Sequence, residues 1–272
     1  MEVQPLAGRT VAVPETRELE VFATLLERRG AQVLRCPLVA IRDAPDPAPV
    51  LEFAARLAAG QFDDLILTTG EGLRRILGCL AQHRPALREP FVAALAVVRK
   101  VTRGPKPARA LRELGLKPDL AAAQPTTTGI IASLTGEALS GRRVAVQLYG
   151  REPNLPLIEF LAGAGAQVST VAPYVYADAA DDAAVRALIG RLSAGAVDAI
   201  AFTSTPQVER LFAVGPDAEV RRALQQTLVA AVGPVVAEAL RRHGVEARLM
   251  PEESFFLKPL TAALEEALRT RP

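Results

Sequence analysis

The chain has 272 residues, enough for one or two domains, and half of them are hydrophobic, so a sizeable core is available. With 32 basic residues against 30 acidic ones the net charge is only +2, which lacks the clustered positive charge of a nucleic-acid binder. Cys36 and Cys79 stand apart, His83 and His243 are equally isolated, and no apolar run approaches membrane-spanning length or forms an N-terminal signal segment; the expectation is a soluble, cytoplasmic protein with no metal site, no nucleic-acid partner and no membrane partner.

In chain order, residues 10–14 read as a strand, with Pro14, Glu15 and Thr16 as the turn after it. A helix is expected over 18–29, where Leu19, Phe22, Leu25 and Leu26 fall at helical spacing. A second strand covers 32–36. Residues 37–44 stay extended and then give way to a link carrying Pro45, Pro47 and Pro49. Helix 50–59 closes at Gly60. The apolar run 64–68 is a strand of the buried parallel type. Residues 69–72 are expected as a loop at its carboxyl end, followed by a helix over 73–82. A helical pattern returns at 86–96, and strand 97–102 leads into Gly104-Pro105. A short strand at 119–121 precedes Gln124-Pro125-Thr126-Thr127-Thr128, which caps a helix over 129–134.

Strand 143–148 follows, then the loop of Tyr149, Gly150, Arg151, Glu152 and Pro153, and a helix over 155–164. An extended strand over 167–175 runs on through Tyr174 to Tyr176. The next helix begins over 178–182. Strand 198–202 ends in Thr203, Ser204, Thr205 and Pro206, with a helix after. Strand 229–232 leads into Gly233-Pro234. Strand 247–249, a loop over 251–254 and helix 257–268 close the chain.

This order is one pattern used twice. Gly-Arg-Thr-Val-Ala-Val from Gly8 returns as Gly-Arg-Arg-Val-Ala-Val from Gly141, and Gly-Ala-Gln-Val from Gly30 returns from Gly165. The strand end Asp-Asp-Leu-Ile-Leu-Thr-Thr from Asp63 corresponds to Asp-Ala-Ile-Ala-Phe-Thr-Ser from Asp198. Gly-Pro-Lys-Pro-Ala-Arg-Ala-Leu-Arg-Glu-Leu-Gly from Gly104 corresponds to Gly-Pro-Val-Val-Ala-Glu-Ala-Leu-Arg-Arg-His-Gly from Gly233. Proline suits the first helical position and glycine the cap beyond the last. The helix-start N–H groups that remain can bind an anion.

Alternating strands and helices imply parallel sheets covered on both faces, with ligands outside the carboxyl ends of the strands. That puts loops 68–70, 103–106, 125–128 and 149–151 on one rim, and 203–205, 232–235 and 251–254 on another. Their Thr and Ser hydroxyls can cap helices or bind ligand. Glycine at 104 and 233 suits close approach of a ligand, which a side chain would block.

The doubled Gly-Pro-x-x-Ala-x-Ala-Leu helix, the Asp-Ala-Ile-Ala-Phe-Thr-Ser strand end and the Pro-Tyr-Val-Tyr stretch from Pro173 together resemble the uroporphyrinogen-III synthase family; Leu148-Tyr149-Gly150 and Arg103-Gly104 look most like its thermophilic bacterial branch. The resemblance covers essentially the whole chain. It implies an α/β fold of two similar doubly wound parallel-sheet domains, flavodoxin-like, joined by a two-stranded connector. One domain would be 1–38 plus 175–272 and the other 41–172, with connectors about 34–44 and 169–178.

The resemblance also implies the reaction: hydroxymethylbilane, a linear tetrapyrrole with eight carboxylates, loses water and closes with its last pyrrole inverted, in a cleft between the two domains, without metal or organic cofactor, on a monomer. Tyr174 matches the family's connector tyrosine and is the expected general acid, with Tyr176 on the same strand face able to substitute. The expected substrate-binding set is Thr68, Thr69, Gly70, Arg103, Gly104, Lys106, Thr126, Thr127, Tyr149, Gly150, Thr203, Ser204, Thr205, Gly233 and Ser254. The fourth residue of each Gly-Pro motif is Pro107 or Val236 here, where some members have Thr, so those hydroxyls are absent and Arg103 and Lys106 are the candidates to take their place. Two rival readings remain: a non-catalytic tetrapyrrole or polyanion binder of the same fold, which can be fused to a DNA-binding module that this chain, stopping at Pro272, does not carry; and a periplasmic-type solute receptor, which the missing signal segment opposes.

Overall fold

A computed structural model of the protein describes residues 4–150, 153–252 and 254–269. The chain divides into two compact units, Met1–Ala40 with Ala177–Pro272, and Ile41–Tyr176.

The first block runs β1 (Thr10–Val13), α1 (Leu19–Glu27), β2 (Gln32–Arg35) and β3 (Val39–Asp43). α1 buries Phe22, Ala23 and Leu26, one stripe of its surface. There follow α2 (Ala48–Ala58), β4 (Asp64–Leu67), α3 (Gly70–His83), α4 (Arg88–Val97), β5 (Arg99–Thr102), α5 (Pro105–Arg112), β6 (Leu120–Ala121) and α6 (Thr127–Leu134). The second block runs β7 (Arg143–Gln147), α7 (Leu155–Gly163), β8 (Gln167–Val171), β9 (Tyr174–Asp178), α8 (Asp182–Ser193), β10 (Ala199–Phe202), α9 (Thr205–Val214), α10 (Asp217–Gln226), β11 (Leu228–Ala231), α11 (Pro234–Arg242) and α12 (Leu257–Arg269).

The sheet of the 41–176 unit has the order β6-β5-β4-β7-β8, with parallel pairs throughout. The other unit has the order β11-β10-β1-β2, again parallel, and a single parallel bridge from Ala230 to Leu249 stands beside β11 where β6 stands beside β5. The two sheets therefore share one strand order. In each, the first strand pair comes from one sequence block and the rest from the other. β3 and β9 form a separate two-stranded ladder, through which the chain passes from one unit to the other and back.

Alternation along β4 decides what each face of its sheet buries. Leu65 and Leu67 pack with Phe53, Leu57, Leu73, Ile76, Phe91 and Leu111 from α2 to α5. Ile66 points the other way, into Ile130, Leu134, Leu157 and Leu161 from α6 and α7. At the amino end, Asp64 is 2 % exposed and takes Arg142 at 2.6 Å and Arg99 at 3.2 Å. The neighbouring Asp63 accepts the Arg143 main-chain N–H at 2.8 Å, and its counterpart in the other sheet, Asp198, accepts the Thr10 main-chain N–H at 2.8 Å and Arg9 at 3.2 Å.

Several elements differ from the sequence expectation. Residues 70–72 are not loop but the first turn of α3, because the Thr69 hydroxyl accepts the Gly72 N–H at 3.0 Å and starts the helix there. The extended run over 167–175 is two strands, β8 and β9, interrupted at Ala172 and Pro173, since proline has no ladder donor. The segment after Ser204 holds two helices, α9 and α10, divided at Gly215 and Pro216. Strand 247–249 is reduced to the one bridge at Leu249. Among the described residues no helix is long and apolar enough to cross a membrane.

Candidate functional site

In the 41–176 unit the chain leaves β4 toward β5 and β6 on one side, while β7 and β8 lie on the other. The helices that follow β4 and β7, α3 and α7, pack on opposite faces of the sheet, so the strand order places the expected ligand position at the carboxyl ends of these two strands. Thr68 and Thr69 follow β4, Thr69 as the cap of α3. Thr68 is 1 % exposed and spends its hydroxyl on the Gln147 carbonyl at 2.7 Å. Gln147, fully buried at the end of β7, accepts the Thr69 N–H at 3.1 Å, and its amide nitrogen reaches the Thr69 hydroxyl at 3.3 Å. Thr69 Oγ1 thus accepts from Gly72 and Gln147, and its own proton is left for its third neighbour, the Tyr174 hydroxyl at 3.3 Å.

Tyr174 is 1 % exposed. Burial pushes its phenol pKa up, and the nearby Glu71 adds to that, against smaller opposing effects of Thr69, Tyr176 and Arg103. Tyr176, two residues on, is half-buried and meets the Tyr174 ring edge to face, with centroids 5.5 Å apart. Gly150 lies beneath Tyr176 with φ +60°, and a methyl there would stand 2.8 Å from the Tyr176 ring. Glycine is required on both counts.

Arg103, at the end of β5, completes this cluster. Its guanidinium carbon is 5.0 Å from the centroid of the Tyr149 ring. Burial lowers its pKa, and the Tyr149, Tyr174 and Tyr176 phenols oppose that. Among the described residues no carboxylate stands within ion-pair distance of Arg103, although arginines at the opposite strand ends, such as Arg9, Arg99, Arg142 and Arg143, each have one. An arginine keeps its charge in such surroundings. The cluster therefore offers a recessed cation and three phenols, a setting that fits an incoming carboxylate.

The remaining expected residues of this unit sit on the same edge. Gly70 opens α3, and a methyl on it would meet the Lys106 carbonyl oxygen at 2.5 Å, so the β4 and β5 loops pack together. Lys106 itself is exposed in the first turn of α5. Gly104 approaches Pro125, whose Cβ would be 2.6 Å from an added methyl, so the close contact at Gly104 is with the chain itself. Thr126 caps α6 through the Gly129 N–H at 2.9 Å, and the Thr127 hydroxyl donates to Asn154 at 3.1 Å.

In the other unit, Thr203 and Ser204 follow β10, and Thr205 is already in the first turn of α9. The Thr203 hydroxyl donates to the Glu15 carboxylate, which also accepts the Thr16 and Arg17 N–H groups at 3.0 Å each. Burial would raise the Glu15 pKa, but Thr203, the Thr16 and Glu18 N–H groups and Arg17 outweigh it and hold the carboxyl below its ordinary value. The carboxyl ends of β10 and β1 are thus furnished with an internal carboxylate. Gly233 starts α11 against the Phe255 ring, 3.1 Å from where a methyl would lie. Ser254 is half-buried ahead of α12. Arg151 and Glu152 of the expected 149–153 loop, and Glu253 of the 251–254 loop, lie outside the described residues.

Sequence reasoning does not single out Gln147, Glu15 or Asn154. For Gln147 the available signal is a polar residue ending the apolar run Val144-Ala145-Val146. For Glu15 it is an acidic residue directly after a strand-ending proline.

The geometry can be set beside known proteins. The pattern of the family described as "Uroporphyrinogen-III synthase HemD" matches residues 20–257. An uncharacterized Bacillus subtilis (strain 168) protein, YjjA, is 33 % identical over 255 residues, 91 % of this chain and 92 % of its own length. The crystal structure of a mutant uroporphyrinogen III synthase from the extremely thermophilic bacterium Thermus thermophilus is similar with a TM-score of 0.76 at 31 % identity, over 97 % of this chain and all of that one. A uroporphyrinogen-III synthetase from Helicobacter pylori 26695 shares the fold with a TM-score of 0.56 at 16 % identity, over 97 % of this chain and 100 % of that one.

Proposed function

The chain belongs to the uroporphyrinogen-III synthase family, and on that premise we propose that it closes hydroxymethylbilane to uroporphyrinogen III, with loss of water and inversion of ring D. The observation that carries this reading is Arg103, recessed among Tyr149, Tyr174 and Tyr176 with no carboxylate partner of its own among the described residues. A linear tetrapyrrole with eight carboxylates supplies the missing anion.

The chemistry asks little of the protein beyond a proton and a shape. The hydroxyl of the terminal hydroxymethyl group leaves as water once it has taken a proton, and the azafulvenium cation that remains is attacked by the substituted carbon of ring D to give a spiro intermediate. The bond from that carbon to its original methylene bridge then breaks, and the freed methylene re-bonds to the unsubstituted alpha carbon of ring D, which gives up its proton. The proton released on closure balances the one donated. Tyr174 suits the donation: the Thr69 hydroxyl, which already accepts from Gly72 and Gln147, gives its hydrogen to the Tyr174 oxygen and leaves the phenolic proton to be passed on. Burial keeps Tyr174 protonated at neutral pH. Arg103 fixes a carboxylate beside them. Ordering the reacting ends contributes up to ~7–11 kcal/mol in favourable cases, more than the choice between inverted and uninverted closure needs.

Arg103→Met tests the role of the cation. It keeps much of the side-chain length and the contact with Tyr149 while removing the charge. Initial rates on hydroxymethylbilane should show KM raised about 10- to 100-fold, the range expected for losing a charge-assisted contact. An unchanged KM would remove Arg103 from the binding site.

A further inference from the structure

α6 and α7 start at the carboxyl ends of β6 and β7 and pack together on one face of the sheet. Asn154 stands at that junction. It is the residue before α7, it is 4 % exposed, and among the described residues it is the single non-glycine residue with left-handed backbone, at φ 53°. Asparagine tolerates that region better than most residues, yet glycine would adopt it at no cost.

Its side chain does not repay the helix it precedes, because it makes no capping hydrogen bond to α7. The amide oxygen accepts instead from the Thr127 hydroxyl, at 3.1 Å, on the first residue of α6. The amide nitrogen is buried and has no hydrogen-bond partner among the described residues. Turning the amide round does not cure this, since one end always meets Thr127 and the other stays unpartnered. Buried polar groups are nearly always paired, so an exception at a helix junction points to a ligand. The surroundings fix its sign: both helix starts present main-chain N–H groups and the positive ends of their dipoles. The unpartnered end is then the –NH2 donor, and its acceptor is an anion.

We propose that Asn154, together with the first main-chain N–H groups of α6, forms a carboxylate subsite distinct from Arg103, and that it holds one acetate or propionate arm of the substrate. The identity of the arm rests on the function proposed above; the subsite rests on the unpartnered Asn154 amide and the helix starts beside it.

The test separates the two. The full chain, labelled with 15N, is titrated with propionate while the Asn154 side-chain amide and the Thr127 and Thr128 main-chain amides are followed by NMR. Saturable shifts are expected at all three. The main-chain shifts should vanish in Asn154→Asp, which has the same shape but a repelling charge, and in Asn154→Gly, which keeps the left-handed backbone without the amide. Asn154→Gly should melt no lower than the parent, yet raise KM for hydroxymethylbilane about tenfold with kcat within about twofold, as loss of a ground-state contact does. Absence of propionate shifts in the parent, or their survival in Asn154→Asp, overturns the subsite. Propionate shifts in a protein that does not turn over hydroxymethylbilane keep the subsite and overturn the tetrapyrrole reading. Turnover with an unchanged KM in Asn154→Gly overturns the assignment of the arm.

Discussion

Tyr174 and Glu15 show how burial and hydrogen bonding pull in opposite directions on single residues. Burial dominates at Tyr174 and raises its pKa from the ordinary value near 10. If this phenol is the proton donor, kcat should stay level as pH rises through neutrality to about 10, because the protonated form persists below a raised pKa. Tyr174→Phe should lower kcat roughly 10²-fold with little change in KM, the size of a typical general-acid contribution. Stopped-flow turnover with both proteins checks the two statements, and a Phe variant at full rate removes Tyr174 from the chemistry.

At Glu15 hydrogen bonding wins over burial, and the folded pKa is depressed. A depressed carboxylate pKa adds stability that is present above the unfolded value of 4.5 and is lost as pH falls through the folded one. Glu15→Gln should therefore be less stable than the parent at pH 7 by about 1–3 kcal/mol, the cost of unsettling a buried polar network. The gap should close progressively below about pH 4.5, the ordinary carboxylate value. Urea unfolding of both proteins between pH 3 and 7 measures it.

Between elements, the doubled Gly-Pro helix start performs the same task in each unit but with different tolerance. At Gly104 an added methyl meets the Cβ of Pro125 at 2.6 Å, on a rigid ring next to the cap of α6. At Gly233 it meets the Phe255 ring at 3.1 Å, which can shift by a few tenths of an ångström. Both backbones are extended, φ 174° and −179°, so backbone strain plays no part. Gly104→Ala should cost about 1–3 kcal/mol in denaturant unfolding, as overpacking does, and Gly233→Ala clearly less. Equal losses would refute this account of the two contacts.

The same comparison explains what can be read from the sequence. The Gly-Pro starts, the strand-ending Thr and Ser residues and the alternation of β4 are local signals, set within a few residues, and they locate the sheets and the carboxyl-end loops. The partners that organise those loops are distant in sequence. Gln147 bonds Thr69 from 78 positions away and Glu15 bonds Thr203 from 188. No periodicity reports such pairings. The first turn of α3 escapes sequence reading for a related reason: Gly70 and Gly72 look like loop residues, and only the packing of the Lys106 carbonyl and the Gln147 amide against them accounts for glycine inside a helix. The break between β8 and β9 is marked in the sequence by Pro173, but the extended pattern on both sides of it masks the interruption.

Across the whole molecule, one strand order is built twice, each time from a strand pair of one sequence block and the remaining strands of the other. The carboxyl ends of the two sheets are furnished differently. One carries Arg103 and its three tyrosines; the other has supplied its own anion in Glu15. The two units thus differ at these loops, while both keep paired Asp and Arg residues at the opposite end. We propose that this scaffold steers a flexible polyacid into the inverted closure. Separation of the uroporphyrinogen isomers formed from hydroxymethylbilane tests it most directly: with the protein present the type III isomer should dominate over the uninverted type I isomer that forms in buffer alone, whereas an isomer ratio identical to that of buffer would contradict the account.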